Sequence, residues 1–172
     1  MKRFGILVLV LLLTAIGCAQ PASAPQNGTV VFVDPNAVKA GAYGDLYFTS
    51  KGYSFGIYDP TSEIFAHLTA NNSFAEQSCA FDGEDVYYFF SGFEIMANVI
   101  DGEERVTAIN IVDDTVMTPD GLYIGMPEAD LCEALHCEID DSGLYLAKDG
   151  TALRTVTVTD GTVRAISYLP AE

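Results

Sequence analysis

The sequence predicts an α+β fold: an antiparallel β-sheet with two short helices packed on it, built as two tandem helix-plus-βββ repeats. Three observations predict this class. The apolar segments are short and rich in aromatic and β-branched residues, turn residues interrupt them every eight to twelve positions, and only two stretches have helical periodicity. A chain of 172 residues has room for one domain, or for two small repeats that share a core.

The strands are expected where apolar runs lie between turn signals. Asp101-Gly102 and Asp160-Gly161 are two such signals, because both residue types tolerate the positive φ of a tight hairpin. The predicted strands cover residues 45–49, 53–57, 77–81, 85–90, 93–100, 105–112, 121–125, 143–147, 151–159 and 162–168.

Two segments that begin at a proline predict the helices. Asp59-Pro60 offers an N-cap followed by proline at the first helical position, and Met126-Pro127 opens the second segment. The expected buried stripes are Ile64, Phe65 and Leu68 in the first helix, and Leu131, Ala134 and Leu135 in the second. Helices of two to three turns need the sheet to be stable.

The order of elements repeats along the chain. Tyr53–Gly56 followed by a helix matches Leu122–Gly125 followed by a helix, and the last strand of each half has the form Val-x-Ala-Ile, beginning at Val106 and at Val163. This internal similarity predicts a duplication, with a first α+β repeat at 44–116 and a second at 117–172.

The N-terminus carries an export signal. Lys2 and Arg3 precede an apolar run that is too short to span a bilayer. The tetrapeptide Ala15-Ile16-Gly17-Cys18 resembles the bacterial lipobox, which implies a lipoprotein signal peptide at 1–17 and lipid attachment at Cys18. The alternatives are an ordinary secretory signal and a short hydrophobic anchor. The lipobox implies an extracytoplasmic protein anchored to the bacterial cell membrane, or to the outer membrane if the host has two.

Composition describes the segment after the signal and the surface of the domain. Residues 18–43 begin with Ala, Pro, Ser and Gln and are expected to be a flexible tether. The chain has 24 acidic and 8 basic residues, a formal net charge of −16. Such a surface repels phosphate backbones, so we expect no nucleic-acid binding.

Three cysteines remain for chemistry if Cys18 is lipidated. A helix that ends near His136 would let Cys132 and Cys137 form a disulfide; a bridge from Cys79 to either, or three reduced thiols, are the alternatives. Thiolate and imidazole also suit zinc, but the spacing Cys-x3-His-Cys is not a usual zinc site and no fourth ligand is evident. We therefore predict no metal and no cofactor.

Catalytic patterns are scarce. His67 and His136 are the two histidines of the chain, and there is no Gly-x-Ser-x-Gly elbow; pairing of Cys132 with His67 is the remaining nucleophilic arrangement. Paired acids such as Asp113-Asp114 lie beside turns and do not follow a calcium-loop pattern. We expect a protein without catalytic residues.

An aromatic run is the candidate partner surface. Because side chains alternate along a strand, Tyr87 and Phe89 should point to one face of the sheet and Tyr88 and Phe90 to the other. One set should therefore lie outside the main core, unless both faces are covered. Exposed tyrosine is favoured at protein interfaces. The candidate residues are Tyr87, Tyr88, Phe89, Phe90 and Phe93.

A family resemblance adds to these predictions. The segment Thr118–Leu131, with Ile-Gly-Met before an acidic helix start, resembles the repeat of small envelope lipoproteins of the SmpA/BamE-like and β-lactamase-inhibitor-protein-like (BLIP-like) group. More narrowly, Cys79–Gly83, Ser91–Glu94 and Ile111–Val116 resemble uncharacterised lipoproteins of anaerobic Gram-positive bacteria. The family usually has Thr or Ser where Pro127 stands, and it implies no catalytic residues.

These observations lead to one expected function and one alternative. We expect a non-catalytic module that binds another envelope protein, as an assembly factor or as an inhibitor of an exported enzyme. The alternative is a lipoprotein that binds a small ligand or a divalent cation.

Overall fold

The computed structural model describes residues 31–33, 46–80 and 83–171, the first of these ranges by its backbone alone. The fold is α+β, with most of the described residues in strands. The elements in chain order are β1 (Val31–Val33), β2 (Phe48–Ser50), β3 (Tyr53–Phe55), α1 (Thr61–Phe65), β4 (Asn72–Gln77), β5 (Glu84–Phe89), β6 (Phe93–Ile100), β7 (Glu103–Ile111), α2 (Glu128–Leu135), β8 (Leu144–Lys148), β9 (Ala152–Thr159) and β10 (Thr162–Pro170).

One large sheet contains eight of the described strands, in the order β1-β8-β9-β10-β7-β6-β5-β4. Strands β4 to β7 and strands β8 to β10 are two antiparallel meanders, joined where β7 pairs antiparallel with β10. β1 adds to the outer edge of β8 in the parallel direction, although Val31–Val33 lie in the range expected to be a tether. β2 and β3 form a separate hairpin.

The hairpin turns use the predicted Asp-Gly pairs. Asp101-Gly102 joins β6 to β7 and Asp160-Gly161 joins β9 to β10, and all four residues have positive φ. Positive φ at both central residues matches the right-handed twist of the flanking strands.

The two faces of the large sheet have different surroundings, and we name them by what covers them. The inner face carries alternate residues such as Ile95, Ile109 and Ile166, which form one hydrophobic core with α1, α2 and the β2–β3 hairpin. The outer face carries the residues between them, such as Met96 and Ser167, most of which are half-buried. No helix of the described part of the chain packs on this outer face.

Two helices form in the predicted segments, but each begins one residue after its proline, at Thr61 and Glu128, with Pro60 and Pro127 as the N-caps. Ile64 of α1 and Leu131 of α2 have no solvent exposure, because both point into the core of the inner face. The prediction that Phe65 belongs to the buried stripe is wrong, because its side chain is 37% exposed. Phe65 directly follows Ile64, and successive side chains of a helix point about 100° apart, so both cannot face the core to the same extent.

Two predicted strands are wrong. The strand expected at 77–81 is β4 at Asn72–Gln77, and residues 121–125 form a loop. Gly121 and Gly125 have positive φ, which interrupts an extended strand at both ends of that loop. Leu122 between them is nevertheless fully buried, which explains its apolar sequence pattern.

Candidate functional site

The aromatic run divides between the two faces of the sheet. Tyr88 lies opposite Ile95 in the β5–β6 register and points to the inner face, whereas Tyr87 lies opposite Met96 and points to the outer face. Phe89 lies opposite Glu94 and points with Tyr87. The alternation of side chains along β5 therefore separates the predicted partner residues into two sets.

The inner-face set belongs to the core. Phe93 is 2% exposed, and its ring lies 4.6 Å from that of Phe90 and 4.8 Å from that of Phe48. Tyr88 packs edge-on against Phe65 and donates a hydrogen bond to a carboxylate oxygen of Glu104 at 2.9 Å. Tyr88, Phe90 and Phe93 therefore do not lie on the surface that carries Tyr87 and Phe89, which corrects the grouping of all five residues as one face.

The outer-face set is larger than the sequence indicated. Phe74 of β4 lies opposite Tyr87, and Tyr87 lies opposite Met96, so three apolar side chains cross three strands in one row. Phe74 is 54% exposed, and its ring centroid lies 6.3 Å from that of Tyr87. We call Phe74, Tyr87, Phe89 and Met96 the outer aromatic patch.

Acidic side chains surround the outer aromatic patch. Glu76 accepts a hydrogen bond from the Tyr87 hydroxyl at 3.3 Å, and Glu94 accepts one from Asn110 at 2.9 Å. Asp85 accepts a bond of 2.5 Å from the buried side chain of Asn98. Partial burial, followed by the nearby Glu76 carboxylate, raises the pKa of Tyr87 above its ordinary value.

The outer aromatic patch lies next to an open edge of the sheet. β4 is the last strand at its end of the large sheet and pairs with β5 on its other side. All six residues of β4 are exposed. The backbone N–H and C=O groups on the outer side of such a strand are available to another chain.

Two thiols meet at the end of α2. His136 has the left-handed backbone conformation, with φ of 52°, and it turns the chain back so that the Cys137 N–H donates to the Cys132 carbonyl at 2.9 Å. The two Sγ atoms lie 2.6 Å apart, and both cysteines are free thiols. Neither of these two cysteines is bonded to Cys79.

A phenol and a carboxylate lie beside the thiol pair. The hydroxyl of Tyr145 donates to Glu128 at 2.5 Å and accepts from the Asp140 N–H at 3.2 Å. Burial, followed by the hydrogen bond with Cys132, raises the pKa of the Cys137 thiol to about 12. A thiol with so high a pKa is a weak nucleophile at neutral pH, because little of it is thiolate.

A buried ion pair lies on the inner face of the second meander. Nη1 of Arg154 donates to both carboxylate oxygens of Asp120, at 2.7 and 2.8 Å, although Arg154 is 1% exposed. The Thr118 hydroxyl donates to the same carboxylate at 2.6 Å. Local sequence patterns do not indicate this pair, since 34 positions separate its members.

A pocket of about 370 Å³ lies between α1 and the β4 end of the sheet. Its lining combines apolar side chains with small polar ones, and Phe65 and Tyr88 form one wall. The lining residues are Phe65, Leu68, Thr69, Ala70, Asn72, Ser73 and Tyr88.

The remaining candidates do not form a common site. The His67 ring stacks on Tyr53, with 4.1 Å between ring centroids. Within residues 46–80 and 83–171, no three His, Cys, Asp or Glu side chains converge to hold a metal ion. Cys18, the expected lipid attachment site, lies outside the described residues.

Phe74 and Met96 are the functional candidates that the sequence analysis missed. Met96 carried an available signal, because alternation from Tyr87 across a hairpin places it on the same face. Phe74 carried little signal, since it lies in a polar segment that does not have the apolar pattern of a strand.

Comparison of the chain with protein-family models, with curated proteins and with solved structures finds no match. In the part of the chain that the structure describes, no helix is both long enough and apolar enough to cross a bilayer.

Proposed function

We propose that this protein is a lipid-anchored extracytoplasmic module that binds another envelope protein through the outer face of its sheet. The observation that carries the proposal is the outer aromatic patch. Aromatic residues and methionine are enriched at protein interfaces, and Phe74 exposes more than half of its side chain. No helix of the described residues covers the patch, so its apolar area is open to a partner.

The charge around the patch indicates the chemistry of the partner. Glu76, Asp85 and Glu94 surround the apolar centre on the same face. A partner with an apolar centre and a rim of Lys or Arg complements this arrangement. Such a rim would make association faster at low salt, because exposed charges are screened over about 8 Å at physiological ionic strength.

The anchor is a separate part of the proposal and rests on the lipobox resemblance. A lipid at Cys18 would hold the acidic domain at the membrane surface, where an envelope partner would meet it. Replacing Cys18 with Ser should release the protein from the membrane to the soluble fraction. Peptide mapping of the native protein should find acyl chains on Cys18. Since one sulfur cannot carry both a thioether and a disulfide, a Cys18–Cys79 bridge in the same map would contradict the anchor.

The two meanders support the proposal of a tandem repeat. Before α1, the Tyr58 N–H donates to the Val106 carbonyl, and the Val106 N–H donates to the Asp59 carbonyl. In the corresponding place before α2, the Gly125 N–H donates to the Val163 carbonyl, and the Val163 N–H donates to the Met126 carbonyl. Pro60 and Pro127 then form isolated bridges to the same two strands, β7 and β10. We propose that residues 44–116 and 117–172 are copies of one unit, related to the SmpA/BamE-like and BLIP-like repeats that the sequence resembles.

Register irregularities add to this equivalence. The β6–β7 ladder shifts next to Val106, and the β9–β10 ladder shifts next to Val163. Both shifts lie inside the Val-x-Ala-Ile segments that the sequence aligns. A bulge at one position of a strand changes its bend and twist, so two bulges at matching positions are expected of copies.

The chemistry of the described residues favours binding over catalysis. The Cys137 thiol has a raised pKa, whereas nucleophilic cysteines have lowered ones. His67 is stacked on Tyr53, and His136 forms the C-cap of α2. We therefore propose a non-catalytic role.

Site-specific photocrosslinking tests the partner surface directly. A photoreactive residue at Phe74 in the full chain, expressed in its host, should give one discrete adduct after irradiation. The same residue at Ile139, which is 61% exposed but distant in the chain from the patch, is the matched control. An adduct from position 74 that is weakened about tenfold by Tyr87→Ala would support the proposal. Identical adducts from both positions, or none from position 74, would contradict it.

The pocket beside α1 supports the alternative of a small-ligand lipoprotein. Its volume lies within the range of ligand pockets, and Tyr88 and Asn72 offer polar groups beside apolar ones. Filling the pocket by Ser73→Phe should abolish ligand binding and leave crosslinking from Phe74 unchanged. A ligand that protects the wild type against thermal unfolding, but not this variant, would favour the alternative.

A further inference from the structure

The thiols of Cys132 and Cys137 are positioned for a covalent step that the binding function does not use. Their Sγ atoms lie 2.6 Å apart, against about 2.05 Å in a disulfide. No rearrangement of the fold is needed to bring them together, because the left-handed turn at His136 has already done so. In a helix that continued past His136, residues five apart would point in different directions.

The local structure holds this arrangement on both sides. Cys132 is buried in the core through α2, and the Cys137 N–H is bonded to the Cys132 carbonyl. The hydroxyl of Tyr145 in β8 lies beside Cys132 and accepts from the Asp140 N–H. The segment that leads from Cys137 to β8 is therefore tied to the sheet at Asp140.

We propose that Cys132 and Cys137 are an oxidation site that forms an intramolecular disulfide by exchange with a disulfide donor of the extracytoplasmic compartment. The availability of such a donor rests on the proposed location outside the cytoplasm. The geometry of the pair does not depend on that location. Exported proteins keep disulfides that the cytosol would reduce.

The exchange has two steps, and each conserves atoms and electrons. Cys137 is half-buried and Cys132 is buried, so the Cys137 thiolate attacks one sulfur of the donor disulfide, whose S–S bond breaks and releases one donor thiol. The Cys132 thiolate then attacks Sγ of Cys137, forms the new S–S bond and releases the second donor thiol. The protein loses two hydrogens, and the donor disulfide is reduced to two thiols.

The product closes a small loop around the end of α2. It would fix the turn at His136 and the approach of the chain to β8. Because burial leaves little thiolate on Cys137 at neutral pH, the exchange is expected to be slow, and an equilibrium measurement is the appropriate test.

Trypsin separates the relevant cysteines, which allows the bond to be located. Cleavage after Arg105 and Lys148 gives a peptide, residues 106–148, that contains Cys132 and Cys137 but not Cys79. The full chain, solubilised in detergent, is equilibrated with oxidised and reduced glutathione, quenched with iodoacetamide and digested. We expect this peptide without alkylation and about 2 Da lighter than its reduced form, the mass of two hydrogens.

Equilibrium in denaturant supplies the control for the role of the fold. We compare the glutathione buffers in which half of the pair is oxidised. For the folded chain this buffer should be at least about tenfold more reducing than for the chain unfolded in guanidinium chloride. Cys137→Ala should abolish the 2 Da loss, and Cys137→Ser provides a second variant if the first does not fold. Alkylation of both cysteines, glutathione on both, or equal midpoints for the folded and unfolded chain would overturn the proposal.

Discussion

The inner and outer faces of the large sheet come from the same strands but carry different chemistry. On β6, Ile95 points to the inner face and is 1% exposed, while Met96 beside it points to the outer face and is half-buried. The inner face also contains the ion pair of the buried Arg154 with Asp120, whose side chain is 13% exposed. The outer face contains aromatic side chains with acids around them. Among the described residues, the fully buried apolar side chains therefore concentrate on the inner face, and exposed aromatic side chains such as Phe74 lie on the outer one.

The largest expected effect is at the buried ion pair of the inner face. Asp120→Asn leaves the Arg154 guanidinium buried without a counter-charge and should lower the free energy of unfolding by about 3–5 kcal/mol. Chemical denaturation measures the change. Asp141→Asn, at an exposed aspartate, should change it by less than about 0.5 kcal/mol.

A double replacement sharpens this prediction. Arg154→Met combined with Asp120→Leu removes both charges and should recover most of the loss, because an apolar pair needs no compensation. If the double variant were as unstable as Asp120→Asn, the loss of stability would not come from the uncompensated charge of Arg154.

The next effect compares two neighbours on β6. Ile95→Ala should cost about 2–5 kcal/mol, since it leaves a cavity in the core. Met96→Ala should cost about 1 kcal/mol or less, because its side chain is already partly in water. Equal costs, measured by denaturation in urea, would mean that the outer face is as tightly packed as the inner one.

The third effect appears at alkaline pH. Burial raises the pKa of Tyr168 to about 12, partly opposed by the Arg154 guanidinium. The unfolded chain loses its phenolic proton near pH 10, so the contribution of Tyr168 to stability is complete below pH 10 and is lost as the pH rises toward 12. The loss amounts to at most about 1.4 kcal/mol per pH unit.

Tyr168→Phe isolates that contribution. The buried hydroxyl of Tyr168 has no hydrogen-bond partner, so its removal should be nearly neutral at pH 7. Between pH 10 and 11 the variant should lose stability less steeply than the wild type, as measured by denaturation at each pH. If the stability of the wild type and of the variant fell equally with pH, Tyr168 would not be the group whose ionisation lowers stability at alkaline pH.

The smallest effect on stability is expected at the outer aromatic patch. Phe74→Ala should change the free energy of unfolding by less than about 0.5 kcal/mol, because the side chain is mostly exposed. The same variant should weaken partner binding. A large loss of stability would instead indicate that Phe74 is part of the packing, and would blur the distinction between the faces.

Much of the sheet could be predicted from sequence because its signals are local. β6 at Phe93–Ile100 and β9 at Ala152–Thr159 alternate apolar and polar residues between clear turns. β4 was not predicted at its true position. An exposed edge strand needs no apolar pattern, and Asn72–Gln77 has almost none. The loop at 121–125 has the apolar pattern of a strand because Leu122 is buried without being in one.

The candidate site was predicted in part for the same reason. Alternation alone requires Tyr87 and Tyr88 to face opposite ways, and the observed register agrees. Which of the two faces is covered depends on where α1, α2 and the β2–β3 hairpin pack, and these contacts are long-range. The approach of Cys132 to Cys137 was conditional on a helix end at His136, which is where the helix ends.

The α+β class, the helix starts to within one residue and the alternation of side chains along a strand could be predicted from sequence, because they depend on neighbours within a few residues. Three features depend on tertiary contacts: Phe74 joins Tyr87, Arg154 pairs with Asp120, and both described helices pack on the inner face. Those contacts join residues that are far apart in the chain. They arise when the apolar faces of helices and strands are buried together, and one-dimensional patterns do not encode which partners then meet.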